Sequence, residues 1–226
     1  MDMYGKTSRS IPQKLVMLGL EICILAASYW ILFLGGYNMF FPSNSLEGVF
    51  ARHLTTFIFN CIVFARMLVT FFYLVKRAIP WEEAFDVPFA FAVYYIGFAL
   101  LGYTSGHPLD VVDVLGIVIF FIGSFLNTFG ELQRDAWKKK PENKGHLYTG
   151  GLFRYSMHIN YFGDVLWVSA YAILTRNWYS AIIPAFLFVF FATYNIPKLD
   201  KYLRGKYGAE HEEYSRKSKR FIPFVY

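Results

Sequence analysis

Long apolar blocks alternate with short polar stretches along this chain. Six blocks approach membrane-spanning length: residues 15–34, 57–75, 85–102, 111–129, 161–174 and 179–196. A helix needs about 20 mainly apolar residues to cross a hydrocarbon core ~30 Å thick. The pattern therefore predicts an all-α, polytopic integral membrane protein with about six transmembrane helices. The fifth block is short and only residues 175–178 separate it from the sixth, which predicts a tight helical hairpin. Pro88 and Pro184 fall near the starts of their blocks, where a missing N–H costs little, and Pro197 reads as the close of the last. An amphipathic tail follows, helical in its first half, with Gly208 as a natural stop.

Composition agrees. Of 226 residues, 56% are hydrophobic and only 17% charged, against about a quarter charged in soluble domains. Cys23 and Cys61 both fall inside apolar blocks, which predicts small buried apolar residues rather than a disulfide framework. The polar residues 1–13 lead directly into a full-length block without a small-residue cleavage site, so no removed signal peptide is expected.

Charge then orients the map. With the N-terminus cytoplasmic, 19 of the 22 Lys and Arg fall on the inner side: Lys6, Arg9 and Lys14, then Lys76 and Arg77, six between residues 130 and 154, and eight from Lys198 to Arg220. Arg52 and Arg176 fall outside, and Arg66 lies within the second block. Such asymmetry is what the positive-inside rule expects, with both termini cytoplasmic. The net charge of +6 then follows from topology and anionic headgroups, so the expected partners are membrane lipids and not nucleic acid. The outer loops, 35–46 and 104–110, are short; the polar material lies on the inner side.

Chemistry centres on residues 150–164, where a double glycine opens an aromatic, polar segment against an apolar run. Asn160 and Asp164 are four apart and share a helix face. Asn127 and Glu131 repeat that spacing at the inner end of the fourth block, with Lys138, Lys139 and Lys140 beyond. Amides and carboxylates suit ribose hydroxyls or a carboxamide, and lysines suit phosphate. The plainer alternative has Asn160 capping its helix, Asp164 facing interfacial water, and the lysines bound to lipid headgroups. Soluble-type nucleotide motifs (GxGxxG, GxxxxGK[ST]) are absent, and the five scattered histidines make no HExxH or His/Cys cluster, so no metal is expected. Within the apolar blocks Glu21 and Arg66 stand out, because an ionisable group at membrane depth is a functional candidate. For Glu21 the alternative is pairing with Lys14 or snorkelling to the interface.

Together these motifs resemble the steroid 5-alpha-reductase family and its relatives of unassigned function. Gly-Gly-Leu-Phe-x-Tyr ending at Tyr155, followed by Asn-Tyr-Phe-Gly-Asp at 160–164, is similar to that family's glycine-rich segment and to the Asn-Tyr-x-Gly-Asp of sterol reductases. Asn127-x-x-x-Glu131 stands where the family has Asn-x-x-x-Asp, Lys138 falls near its Arg-Lys-Pro, and Tyr202 and the Ile-Pro-Phe ending also correspond. The resemblance covers about residues 123–226. It implies a reductase binding NADPH from the cytoplasmic side through Asn127, Glu131, Lys138, Tyr155, Asn160, Asp164 and Tyr202. Residues 1–122 would form a cavity for a steroid, sterol or other lipid whose carbon–carbon double bond takes the hydride, with Glu21 and Arg66 as catalytic candidates. It further implies an internal eukaryotic membrane, the endoplasmic reticulum. Two departures matter: the family's tyrosine before the Arg66-like arginine is missing, since Ile62, Val63, Phe64 and Ala65 stand there, and its histidine-rich run before the tail tyrosine is absent, with Lys198 where a histidine is expected. A second family, the isoprenylcysteine and phospholipid methyltransferases, has a similar Arg-Tyr-x-x-His-Pro-x-Tyr-x-Gly stretch and a tail like Tyr207-Gly208-Ala-Glu210 with Tyr214. This implies S-adenosylmethionine as the alternative cofactor. A non-catalytic lipid-binding role is the third reading.

Overall fold

Each apolar block folds as a helix, and several helices run past the limits that hydropathy draws. The computed structural model describes residues 8–41 and 50–226. Lys6 of the charge count and residues 42–46 of the first expected outer loop lie outside the described residues. In order the helices are α1 (Ile11–Phe33), α2 (Phe50–Val69), α3 (Trp81–Ala92), α4 (Val111–Lys138), α5 (Ile159–Thr175), α6 (Ile182–Phe190), α7 (Ile196–Tyr207) and α8 (Ala209–Lys217). A single helical turn, Tyr37–Phe40, follows α1. Three wide π-helical turns extend helices: Thr70–Leu74 after α2, Val93–Gly97 joining α3 to a short helix Phe98–Gly102, and Phe191–Asn195 joining α6 to α7. No β-strand occurs among the described residues.

Five stretches are long and apolar enough to cross a bilayer: Ile11–Phe33, Phe50–Leu74, Trp81–Gly102, Val111–Lys138 and Trp178–Tyr207. The chain is an integral membrane protein. Helix α5, the expected fifth span, has 17 residues and at 1.5 Å per residue reaches only about 25 Å.

Four expectations are corrected. The segment after residue 129 is helix rather than loop, because Glu131-Leu-Gln-Arg134-Asp135-Ala-Trp-Lys138 consists largely of good helix formers. Ion pairs at helical spacing, Glu131–Arg134 and Asp135–Lys139, reinforce it. Pro197 does not close the last span. It follows the π turn, where the ladder is already widened, and α7 continues through it. Helix α3 begins at Trp81, which leaves Pro88 inside it. Cys23 and Cys61 are exposed rather than buried; on a membrane helix the outer surface is as apolar as the inside, so hydropathy cannot tell the two apart.

The chain divides into two compact units, Met1–Val114 with Tyr171–Ser180, and Leu115–Ala170 with Ala181–Tyr226. In the first, Met17, Phe71, Ile79 and Ala84 form one core cluster, and Ile31, Leu32, Tyr37, Ala99 and Tyr103 another. Arg52, read above as an outer-loop residue, lies in the first turn of α2 and is 1% exposed. Its guanidinium grips both Asp113 oxygens, Nη1 to Oδ1 at 2.5 Å and Nη2 to Oδ2 at 3.0 Å, and also reaches the Leu174 carbonyl. Arg176 adds a second cation to Asp113 at 3.0 Å and pairs with Asp110. Deeper in the same unit, the Tyr171 hydroxyl donates to Asn60 Oδ1 at 2.8 Å, and Asn60 Nδ2 to Ser28 Oγ at 3.0 Å.

The second unit is built on a backbone-to-backbone contact of α4 with α5. A Cβ on Gly123 would stand 2.5 Å from the Trp167 nitrogen and 2.6 Å from the Gly163 oxygen; one on Gly163 would stand 2.6 Å from the Asn127 nitrogen. Small residues at such crossings let membrane helices approach closely. The tail is stitched to the segment before α5. The Tyr214 hydroxyl donates to the Phe153 carbonyl at 2.6 Å, Ser156 Oγ to the Phe221 carbonyl at 2.7 Å, and Met157 N to the Lys219 carbonyl at 2.8 Å. Phe221 is fully buried and stacks on Phe188. Helix α8 is thus part of this unit's frame.

Two stability tests follow from these contacts. Gly163→Ala overpacks the crossing and is expected to cost about 1–3 kcal/mol, whereas Gly19→Ala, with nothing within 4 Å of its Cβ, should not lower the melting midpoint in detergent. Equal melting of the two variants would mean that the crossing tolerates side chains. Asp113→Ala leaves Arg52 buried without its carboxylate, an expected loss of about 3–5 kcal/mol. Asp110→Ala, at a half-exposed carboxylate, should cost no more than about 1 kcal/mol.

Candidate functional site

In the second unit, one face of α4 carries Asn127, Glu131, Arg134 and Lys138, spaced four, three and four residues apart. The first turn of α5 supplies Asn160. Its Nδ2 donates to Glu131 Oε1 at 2.9 Å, while Asn127 Nδ2 donates to the Asn160 carbonyl at 3.3 Å. Glu131 holds Arg134 through its other oxygen, and the Arg134 guanidinium lies 5.5 Å from the Phe153 ring centroid. Asn160 therefore does not cap its own helix; it bridges to α4. Asp164 accepts from Trp167 Nε1 at 2.8 Å on its own helix. Tyr155 is exposed and packs against Phe224 and Arg154.

Lys138 lies within electrostatic range of two cations, Arg134 and Lys206, and of two acids, Glu131 and Asp135. Lys206 reaches the Tyr202 hydroxyl at 3.4 Å. These two residues line an open cleft of about 540 Å³ with Lys198, Lys201 and Gly205. The structure thus joins Asn127, Glu131 and Asn160 directly by hydrogen bonds; Lys138 lies within electrostatic range of Lys206, which in turn reaches Tyr202.

The double glycine has a local reason. Gly151 sits at φ +54°, a backbone region that favours glycine, and a Cβ there would stand 2.5 Å from Gln133 Oε1 and 2.6 Å from the Tyr148 hydroxyl. Gln133 Oε1 instead accepts from the Leu152 N–H at 3.1 Å. A 3₁₀ turn, Gly151–Arg154, follows and buries Phe153.

Sequence reasoning missed a partly buried polar array that starts in this segment. His158, 1% exposed, places Nε2 2.7 Å from Asp200 Oδ1, and Arg220 Nε donates to Asp200 Oδ2 at 2.8 Å. Its members are 42 and 20 residues apart in sequence, so no local motif announces it.

The first unit holds a different polar group. Glu21 is fully buried and neither carboxylate oxygen has a hydrogen-bond partner among the described residues. Pairing with Lys14 is corrected, since Lys14 Nζ donates to the Val75 carbonyl at 2.8 Å. Tyr95, in the π turn after α3, is also fully buried with its hydroxyl unpartnered among the described residues. It lies within electrostatic range of Glu21 and of the half-buried Arg66. π turns often occur at functional positions.

These features define an all-helical membrane protein with one hydrogen-bonded polar cluster at helix ends and a second, unpartnered one within its spans. Residues 84–218 match the model of the family described as a protein of unknown function (DUF1295), and the chain belongs to that family. It is 25% identical to the 3-oxo-5-alpha-steroid 4-dehydrogenase 2 of Mus musculus, over 99% of this chain and 87% of that protein. It is 36% identical to the probable O-methyltransferase ustE of Ustilaginoidea virens, over 38% of this chain and 31% of that protein. It is 29% identical to the delta(14)-sterol reductase erg24 of Schizosaccharomyces pombe, over 55% of this chain and 34% of that protein. The chain thus spans about a third of the last two relatives' length. The similarities bear out the family resemblance read from the sequence and point to membrane enzymes of the reductase or methyltransferase kind.

Proposed function

We propose that the protein is a membrane-embedded reductase that uses NADPH to saturate a carbon–carbon double bond in a steroid, sterol or related lipid. On this reading it resides in the endoplasmic reticulum membrane, with six spans and both termini and the cofactor site on the cytoplasmic side. The observation that carries the reading is the charge around Lys138. Arg134 and Lys206 both repel the charge of Lys138, Glu131 and Asp135 offset part of that repulsion, Arg134 being ion-paired with Glu131, and an anionic ligand with phosphates would relieve the remainder. NADPH has phosphates, ribose hydroxyls and a carboxamide; S-adenosylmethionine has a sulfonium cation and no phosphate. The donor set therefore fits the first better than the second.

The methyltransferase-like tail does not weigh against this, because its residues have structural work. Gly208, at φ +49°, breaks the chain between α7 and α8. Glu210 accepts from the Leu147 N–H at 2.8 Å and lies 2.7 Å from His146. Tyr214 holds the Phe153 carbonyl.

On this assignment Arg134, Lys138 and Lys206 hold phosphates, while Asn127, Glu131 and Asn160 orient hydroxyls or the carboxamide, with Asp164 and Tyr202 alongside. The bound cofactor supplies the hydride. Within the spans, Glu21 and Tyr95 receive the lipid's polar group, since each lacks a hydrogen bond that such a group would provide. Either can hold a proton, at a Glu21 carboxylate oxygen or the Tyr95 hydroxyl, for a developing enolate. Arg66 tunes that pair through charge.

The test is thermal stability of the detergent-purified protein with NADPH, NADH or S-adenosylmethionine. A ligand at a hundredfold over its dissociation constant stabilises by about 2.7 kcal/mol, and NADPH is expected to give the shift. Lys138→Ala should weaken NADPH about tenfold, equivalent to about 1.4 kcal/mol, with an unchanged midpoint in its absence. Glu21→Gln should retain the NADPH shift and lose turnover. A shift with S-adenosylmethionine alone would transfer the assignment to methyl transfer, and silence from all three ligands to a non-catalytic lipid-binding role.

A further inference from the structure

A second basic cavity lies on a face of α7 that the cofactor assignment leaves unused. Asp200 and Arg204 share that face, turned away from Tyr202 and Lys206, and Lys201 between the two faces borders both clefts. The cleft, of about 650 Å³, is lined by Asp200, Arg204, His211, Ser215, Lys219 and Arg220 among others. His211 is 2% exposed, and neither ring nitrogen has a hydrogen-bond partner among the described residues. Buried polar groups are nearly always paired, and one that is not calls for an explanation such as a ligand.

The charges around it are not balanced. The acid on the wall, Asp200, is already engaged, with Oδ1 facing His158 and Oδ2 accepting from Arg220. Arg204 and Lys219 are exposed and make no ion pair among the described residues. Burial holds the His211 ring below the ordinary histidine range, and Arg204 and His158 push it the same way, while Asp200 and Glu212 oppose them. An empty cleft thus disfavours a charged His211, and an anion seated in it would reverse that balance.

We propose that this cleft is a phosphate-binding site, taking inorganic phosphate or a phosphomonoester. Arg204 presents a planar fork that matches phosphate oxygens, Lys219 adds a point charge, and an imidazole N–H of His211 donates to the buried oxygen. The phosphomonoester can belong to a lipid headgroup or to a soluble molecule. Val225, 71% exposed on the same wall, offers apolar surface beside the site in either case.

The test follows the imidazole signals of ¹⁵N-histidine-labelled full-length protein, with His211 assigned by His211→Gln. One arm adds inorganic phosphate to protein in non-ionic detergent. The other compares phosphatidylcholine nanodiscs with and without phosphatidic acid. A saturable shift of the His211 signal is expected in at least one arm. Response in both identifies the phosphate group itself as the determinant; response only to phosphatidic acid identifies the lipid source, and only to phosphate the soluble one. The double variant Arg204→Gln, Lys219→Gln should weaken the response at least tenfold while the NADPH-dependent thermal shift stays as in the wild type. Because it leaves His211 in place, it keeps the test valid if His211→Gln does not fold. No response in either arm, or a response that survives in the double variant, would overturn the proposal. The NADPH readout is separate, so failure of the reductase assignment would not imitate either result.

Discussion

Two glycines fix the geometry on which the hydrogen-bonded cluster depends. Gly123 and Gly163 let α4 and α5 meet with backbone against backbone, closer than any side chain permits. Asn127 lies one turn beyond Gly123, and Asn160 one turn before Gly163. In an antiparallel crossing both steps lead to the same end of the helix pair, and the Asn127–Asn160 hydrogen bond is the result. Glu131, one further turn along α4, then falls opposite the Asn160 amide. A larger side chain at either glycine would separate the helices and break every link in this chain of contacts, although it would touch no polar atom of the site.

The four-residue spacings were legible because a helix converts them directly into a shared face. Asn127 with Glu131 needed only that rule. Asn160 with Asp164 satisfied it as well, yet Asp164 turns to Trp167 while Asn160 crosses to α4. Spacing gives a common face but not the partner each side chain selects. Hydropathy placed the helices and misjudged their ends for a related reason. It measures compatibility with lipid, whereas residues 130–138 continue α4 because of helix propensity and ion pairs, which hydropathy does not register. Arg52 and Asp113 are 61 residues apart, and Tyr95 lies within electrostatic range of Glu21 from a π turn that no periodicity predicts.

Burial of polar groups separates the molecule's frame from its candidate sites. Water is scarce in a protein interior and scarcer within a bilayer, so buried polar groups find partners inside the protein. Arg52–Asp113–Arg176, Ser28–Asn60–Tyr171 and His158–Asp200–Arg220 meet this demand, the Arg52 Nε apart, and act as structural ties. Glu21, Tyr95 and His211 do not, and each is buried with polar atoms unpartnered among the described residues. Packing alone does not explain such exceptions, because an apolar side chain of similar size would avoid the cost. A ligand that completes them would.

The same distinction explains why the chain resembles both reductases and methyltransferases. The tail residues that suggest methyl transfer, Gly208, Glu210 and Tyr214, break α7 from α8 and tie α8 to the segment before α5. Gly151, within the Gly-Gly-Leu-Phe run that suggests reduction, permits a crowded turn against Gln133 and Tyr148. All of these residues build one frame, and a frame can serve either cofactor. The residues whose chemistry separates the two are Arg134, Lys138 and Lys206, whose positive charge suits a phosphate-bearing ligand and opposes a cationic one. Similarity in the frame therefore weighs little between the two activities, and the proposed reduction rests on the charge that the frame displays.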